Sequence, residues 1–200
     1  KKLFNEDDNA VLDYIEEDGD SIEPTFYVPT LPLILINGAC GIGTGFSCDV
    51  PCFNPEDIKK RLMDLVIDED SDIPEMTPWY KGFTGTIIKT DTNKWITKGK
   101  YTTKGNVISI TELPIGTWID DYKTLLDKLE TEGTIFSYTN ASTETSVNFS
   151  INCPLETVIE WTQNNEIMKK LKLISHLSAN NMYLFNEKNE IVKMESPEEI

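Results

Sequence analysis

LPLILINGACGIGTGF, residues 31–46, joins a run of branched apolar residues to three alternating glycines that flank Ile42 and Thr44. Pro29 and Pro32 exclude helix, and the branched side chains suit a buried strand, so an extended segment is expected to feed a glycine loop. A dinucleotide-binding turn needs GxGxxG opening a helix. Here the glycines of Gly41-Ile42-Gly43-Thr44-Gly45 alternate, and Pro51 and Pro55 leave no room for a helix between them. A phosphate-cradling loop needs Gly-Lys-Ser/Thr, and the loop has no lysine. Two readings remain open on the residues alone. Glycines permit positive φ in a tight turn. Alternatively, an apolar side chain between two bare backbone positions can enter a minor groove, wedge between base pairs and kink the duplex.

Working outward, Asn54 and Pro55 carry the signature of a helix start, and Ile58, Leu62 and Leu65 share one face of the segment that follows. Residues 1–23 read as a short helical or irregular lead with an acidic turn at residues 17–20, and the acidic, proline-containing residues 68–78 as a linker. Beyond it FTGTIIKT, KWITKGKYTT and NVISITEL alternate or run β-branched between turn residues, which predicts a meander. Thr117 is the expected cap of a helix through Leu129. Strands are expected near residues 135–138 and 147–151, a helix over 154–164, and short strands at 171–177, 182–185 and 190–193. The class is α+β, in two blocks, residues 1–70 and 71–200.

The formal net charge is −16, which on its own argues against nucleic acid. Its distribution softens the objection: residues 24–48 carry no charged side chain, and residues 81–104 hold six lysines against Asp91 alone. An acidic protein-interaction module is the rival reading. No apolar run is long enough to span a membrane, and the N-terminal residues lack a secretory signal. Cys40, Cys48, Cys52 and Cys153 do not space as a disulfide framework, and the first three lack a fourth ligand at zinc-like spacing. The carboxylates of residues 68–70 read as solvated rather than metal-binding.

Residues 23–58, EPTFYVPTLPLILINGACGIGTGFSCDVPCFNPEDI, resemble the end of the winged-helix region in the DNA-cleavage core of eukaryotic and large-virus type II DNA topoisomerases. PWYKGFTGTI (78–87), ISITELPIGTWIDDYK (108–123) and KLKLISHLSANNMYLF (170–185) are similar to successive landmarks of that family's tower domain, in the family's order. The resemblance implies the tail of a winged-helix region over residues 1–70, then a mixed α/β tower domain with antiparallel sheet over 71–200. It implies a homodimeric isomerase that cuts both strands of one DNA duplex, passes another through and reseals it, using ATP and Mg2+. It makes Ile42 the intercalating, DNA-bending residue, with Asn37, Gly41, Gly43 and Thr44 along the minor-groove approach. Lys172, Ser175, His176, Asn180 and Asn181 become contacts to double-stranded DNA, Lys172 neutralising phosphate and the others hydrogen-bonding the backbone.

The family's nucleophilic tyrosine lies upstream of residue 1, so neither Tyr14 nor Tyr27 takes that role, and the missing initiator Met reads as an excised piece. The ATP and Mg2+ sites are likewise expected outside residues 1–200, leaving this piece without catalytic or metal-binding residues and inactive alone. Asp49 stands where many relatives have a basic residue, Gly116 where arginine is expected, and Phe46 replaces a tryptophan. These departures weaken local attraction for phosphate. The expected location is nuclear for a cellular eukaryotic source, and host cytoplasm or nucleus for a viral one.

Overall fold

A computed structural model describes residues 3–68, 75–186 and 188–200. The chain forms two compact units, Lys1–Trp79 with Asn181–Ile200, and Tyr80–Asn180. The boundary expected between residues 70 and 71, and the acidic run at 69–70, lie outside the described residues.

In the first unit a 3-10 helix, Glu6–Ala10, precedes a hairpin of β1 (Tyr14–Glu17) and β2 (Asp20–Pro24). The expected acidic turn is its loop: Asp18 and Gly19 take φ of 54° and 90°, the pairing that hairpin twist favours. The extended segment expected over FYVPTLPLILI, residues 26–36, gives way at its end to α1 (Leu33–Asn37), with Pro32 as its N-cap. Proline breaks a helix only from inside; at its start the missing N–H has no partner to lose. Gly38 ends α1 at φ 68°, and a Cβ there would meet the Val50 carbonyl at 2.8 Å, so only glycine fits. The glycine stretch is a second hairpin, β3 (Ala39–Gly43) against β4 (Phe46–Val50). Asn54 caps α2 (Pro55–Ile67) as read, its side chain accepting the Glu56 N–H at 3.0 Å, and Ile58 is buried.

The second unit holds β5 (Thr86–Asp91), β6 (Lys94–Lys98), β7 (Lys100–Lys104), β8 (Val107–Glu112), α3 (Ile119–Thr131), β9 (Ser137–Asn140), β10 (Phe149–Asn152), α4 (Leu155–Gln163), α5 (Ile167–Lys170) and β11 (Ile174–Ser178). The four strands β5 to β8 do not form one meander. They divide at Gly99 into the antiparallel sheets β11-β6-β5 and β7-β8-β10-β9. A Cβ on Gly99 would strike the Glu112 carbonyl, so the bend between the sheets requires glycine. The cap of α3 is Trp118 rather than Thr117, whose N–H closes a turn onto the Pro114 carbonyl at 3.1 Å. Residues 167–170, part of no predicted element, form α5, and β11 begins only at Ile174.

The second unit's core lies where α3 and α4 cover the four-stranded sheet. Ile108, Ile110, Leu126, Phe149 and Ile151 are wholly buried, and the Tyr122 hydroxyl donates to the Leu171 carbonyl at 2.8 Å. The chain then returns to the first unit as β12 (Met182–Phe185) and β13 (Ile191–Met194), paired antiparallel. A terminal 3-10 helix, Pro197–Glu199, is tied down where Glu198 accepts the Met76 N–H at 2.8 Å and faces Arg61 at 3.8 Å.

Candidate nucleic-acid interface

Hairpin β3–β4 turns through Thr44 and Gly45, the latter at φ 84°. Ile42 is 92% exposed. Strand alternation places Ile42, its cross-strand partner Ser47, Cys40 and Asp49 on one face, and Gly41 and Gly43 on the other. The glycines are not equivalent. Gly45 needs its positive φ, whereas Gly41 and Gly43 have no such φ, Gly41 has nothing within 4 Å of an added Cβ, and Gly43 has only the Phe46 carbonyl at 3.8 Å. Folding does not require glycine at 41 or 43, so the bare backbone beside Ile42 leaves clearance for another molecule. Asn37, at the end of α1, and Thr44, at the tip, are exposed.

The other predicted contacts separate. Lys172, exposed in a turn at φ 47°, and Asn180, exposed after β11, belong to the second unit; Asn181 belongs to the first. Ser175 and His176 are neighbours on β11 and so point to opposite sides of the sheet. Ser175 lies across from buried Thr97, whereas His176 is exposed across from Ile96, between the positions facing Lys94 and Lys98. The outer face of β11-β6-β5 therefore combines His176 with Ser178, Lys94 and Lys98. Lys94 is partly neutralised by Asp91 at 3.4 Å. The lysine-rich stretch was visible in the sequence, but only the register shows which lysines share a face with His176.

Charge divides with the units. Residues 80–180 contain eleven lysines and eleven carboxylates, so the whole net charge of −16 lies in the unit that carries Ile42.

No three His, Cys, Asp or Glu side chains gather as a metal site among the described residues. Cys40, Cys48 and Cys52 are free thiols, and burial raises the Cys52 pKa, which favours the thiol over the ligating thiolate. The described residues hold no carboxylate cluster that fits a magnesium site. Nor do they fit a nucleotide-phosphate loop, because the glycines turn between two strands and open no helix. No described helix is long and apolar enough to cross a membrane.

This α+β fold is shared with a solved cleavage core of the type II topoisomerases. The crystal structure of the Plasmodium falciparum topoisomerase II DNA-binding, cleavage and re-ligation domain matches 99% of this chain and 27% of its own, at a TM-score of 0.91 and 33% identity. The family model that describes the A subunit of DNA gyrase/topoisomerase IV matches residues 1–200, and the chain belongs to that family. It is 42% identical over 201 residues to the mitochondrial DNA topoisomerase 2 of Dictyostelium discoideum, 41% over 206 residues to DNA topoisomerase 2 of Arabidopsis thaliana, and 36% over 203 residues to that of Invertebrate iridescent virus 6. Each match takes in 98–99% of this chain, which spans 15%, 14% and 17% of those relatives respectively.

Proposed function

We propose that this chain is the DNA-gripping and DNA-bending part of an ATP-dependent type II topoisomerase, an isomerase that changes DNA topology by transient double-strand cleavage and strand passage. The observation that carries the reading is Ile42, 92% exposed between two glycines that the fold does not need. An exposed isoleucine gains nothing in water, and clearance on both sides suits it to the walls of a minor groove. Entry between base pairs costs a few kcal/mol of unstacking, which contacts along the bent duplex offset.

Asn37, Gly41, Gly43 and Thr44 border the approach of the hairpin. In the second unit, Lys172, His176 and Asn180 supply charge and donors to phosphate, joined by Lys94 and Lys98. Ser175, on the inner side of its strand, is left out of that face. The cleaving tyrosine, Mg2+ and ATP act outside residues 1–200, in a homodimer. In a cellular eukaryote the enzyme works in the nucleus, and a viral one in host cytoplasm or nucleus.

The test is Ile42→Ala in the full-length enzyme, read by bending of an end-labelled duplex and by DNA relaxation. Both fall while ATP hydrolysis and folding persist. Bending and relaxation equal to wild type would overturn the wedge and leave the hairpin as a turn.

A further inference from the structure

The Ile42 hairpin is gripped by a residue that the family resemblance assigns to DNA. Two features of Asn181 converge on β4. Its carbonyl accepts the Asp49 N–H at 2.7 Å, and its side-chain Nδ2 donates to the Ser47 hydroxyl. Ser47 is the direct cross-strand partner of Ile42, so the two side chains stand on one face about 5 Å apart at Cβ. Asn181 is half-buried and followed by wholly buried Met182, whereas Asn180 beside it is exposed. The Phe46 ring packs against Tyr183 with centroids 5.5 Å apart, so the start of β4 is held at a second point.

A two-stranded hairpin alone is marginally stable in water. A wedge on such a hairpin must be ordered either at folding or at the moment of binding, and ordering on binding subtracts from affinity. We propose that Asn181 is a positioning residue: its amide, acting through the Ser47 hydroxyl, fixes the hairpin so that Ile42 meets the duplex already in place. The proposal rests on the wedge reading for its functional consequence, but the brace itself is independent of DNA.

The experiment compares Asn181→Ala, Ser47→Ala, the double variant and Ser47→Thr in the full-length enzyme. Its readouts are hydrogen exchange over residues 40–48 without DNA, and the bent fraction of a labelled duplex alongside affinity for it. Each single Ala variant speeds hairpin exchange and lowers the bent-to-straight ratio about fivefold, the order of one net hydrogen bond. The double variant loses no more than either single one, because both remove the same bond. Ser47→Thr, which keeps the hydroxyl, stays near wild type. If Ser47→Ala bends DNA normally while Asn181→Ala does not, Asn181 touches DNA itself and the proposal fails. Unchanged exchange in both single variants also overturns it. Should Ile42→Ala leave bending intact, the wedge reading falls, and the exchange data alone still decide whether Asn181 braces the hairpin.

Discussion

Ile110 and Ile42 are the same residue in opposite circumstances. Ile110, on β8, is wholly buried in the second unit's core; Ile42, near the tip of β3–β4, is almost fully in water. Burying an isoleucine is worth on the order of 1.5–3 kcal/mol, and the second unit collects that gain across a continuous core. At the tip the first unit forgoes it, and places Ile42 among glycines that a Cβ would not crowd. Apolar residues in the one region hold the fold, and in the other they are available to a partner.

The sharpest way to break this contrast is to truncate both. Ile110→Ala should destabilise the chain by about 2–5 kcal/mol, from lost transfer energy plus the cavity left behind. Ile42→Ala should stay within about 0.5 kcal/mol of wild type, as exposed substitutions do. Urea unfolding of the two variants decides the point; comparable losses would make the tip part of the core.

Alkaline pH probes the buried side of the comparison. Burial pushes the Cys153 thiol up to about 11 and raises the Tyr122 hydroxyl further from its ordinary range. Tyr138 is raised to about 12 by its hydrogen bond to Asp127, but it is solvent-screened and contributes little. Above pH 9 the folded chain therefore holds protons that the unfolded chain has released. Stability is full below about pH 9, declines from there to about 11 as Cys153 loses its advantage, and steepens above 10 as unfolded tyrosine ionises. Unfolding midpoints measured from pH 8 to 11 should fall on this course, with the first part flattened in Cys153→Ala. A flat profile would place both groups in contact with water.

Local chemistry made much of this legible in advance. Asn54 and Pro55 mark the start of α2, and β12 falls where residues 182–185 predicted it. The misreadings share a physical origin. Pro32 excludes a helix around it but not one beginning after it, so α1 was hidden. The meander failed because Gly99 reads as an interior residue of the single strand KWITKGKYTT, and only the approach of the Glu112 carbonyl shows that the chain changes sheets there. At the candidate site Ile42 stands out by its setting, yet the opposite directions of Ser175 and His176 depend on strand alternation, and residues 171–177 read as one strand with no α5 before it. Nothing local shows that Asn181 will bond Ser47, 134 positions away.

The smallest expected effect on stability is the most discriminating for function. Three glycines line one hairpin, and chemistry separates them: Gly45 sits at φ 84°, while Gly41 and Gly43 occupy ordinary strand backbone with room for a methyl group. Gly45→Ala should cost about 1–2 kcal/mol, because a Cβ in the left-handed region crowds the following carbonyl. Gly41→Ala and Gly43→Ala should instead leave the melting temperature unchanged or raise stability by about 0.4–1 kcal/mol, since alanine has less unfolded-state freedom to lose. If the bare backbone exists to admit groove walls, those same two variants must bend a labelled duplex less well in the full-length enzyme. Stability kept and bending lost separates clearance for a partner from the needs of the fold. Stability lost in all three would return every glycine to the turn.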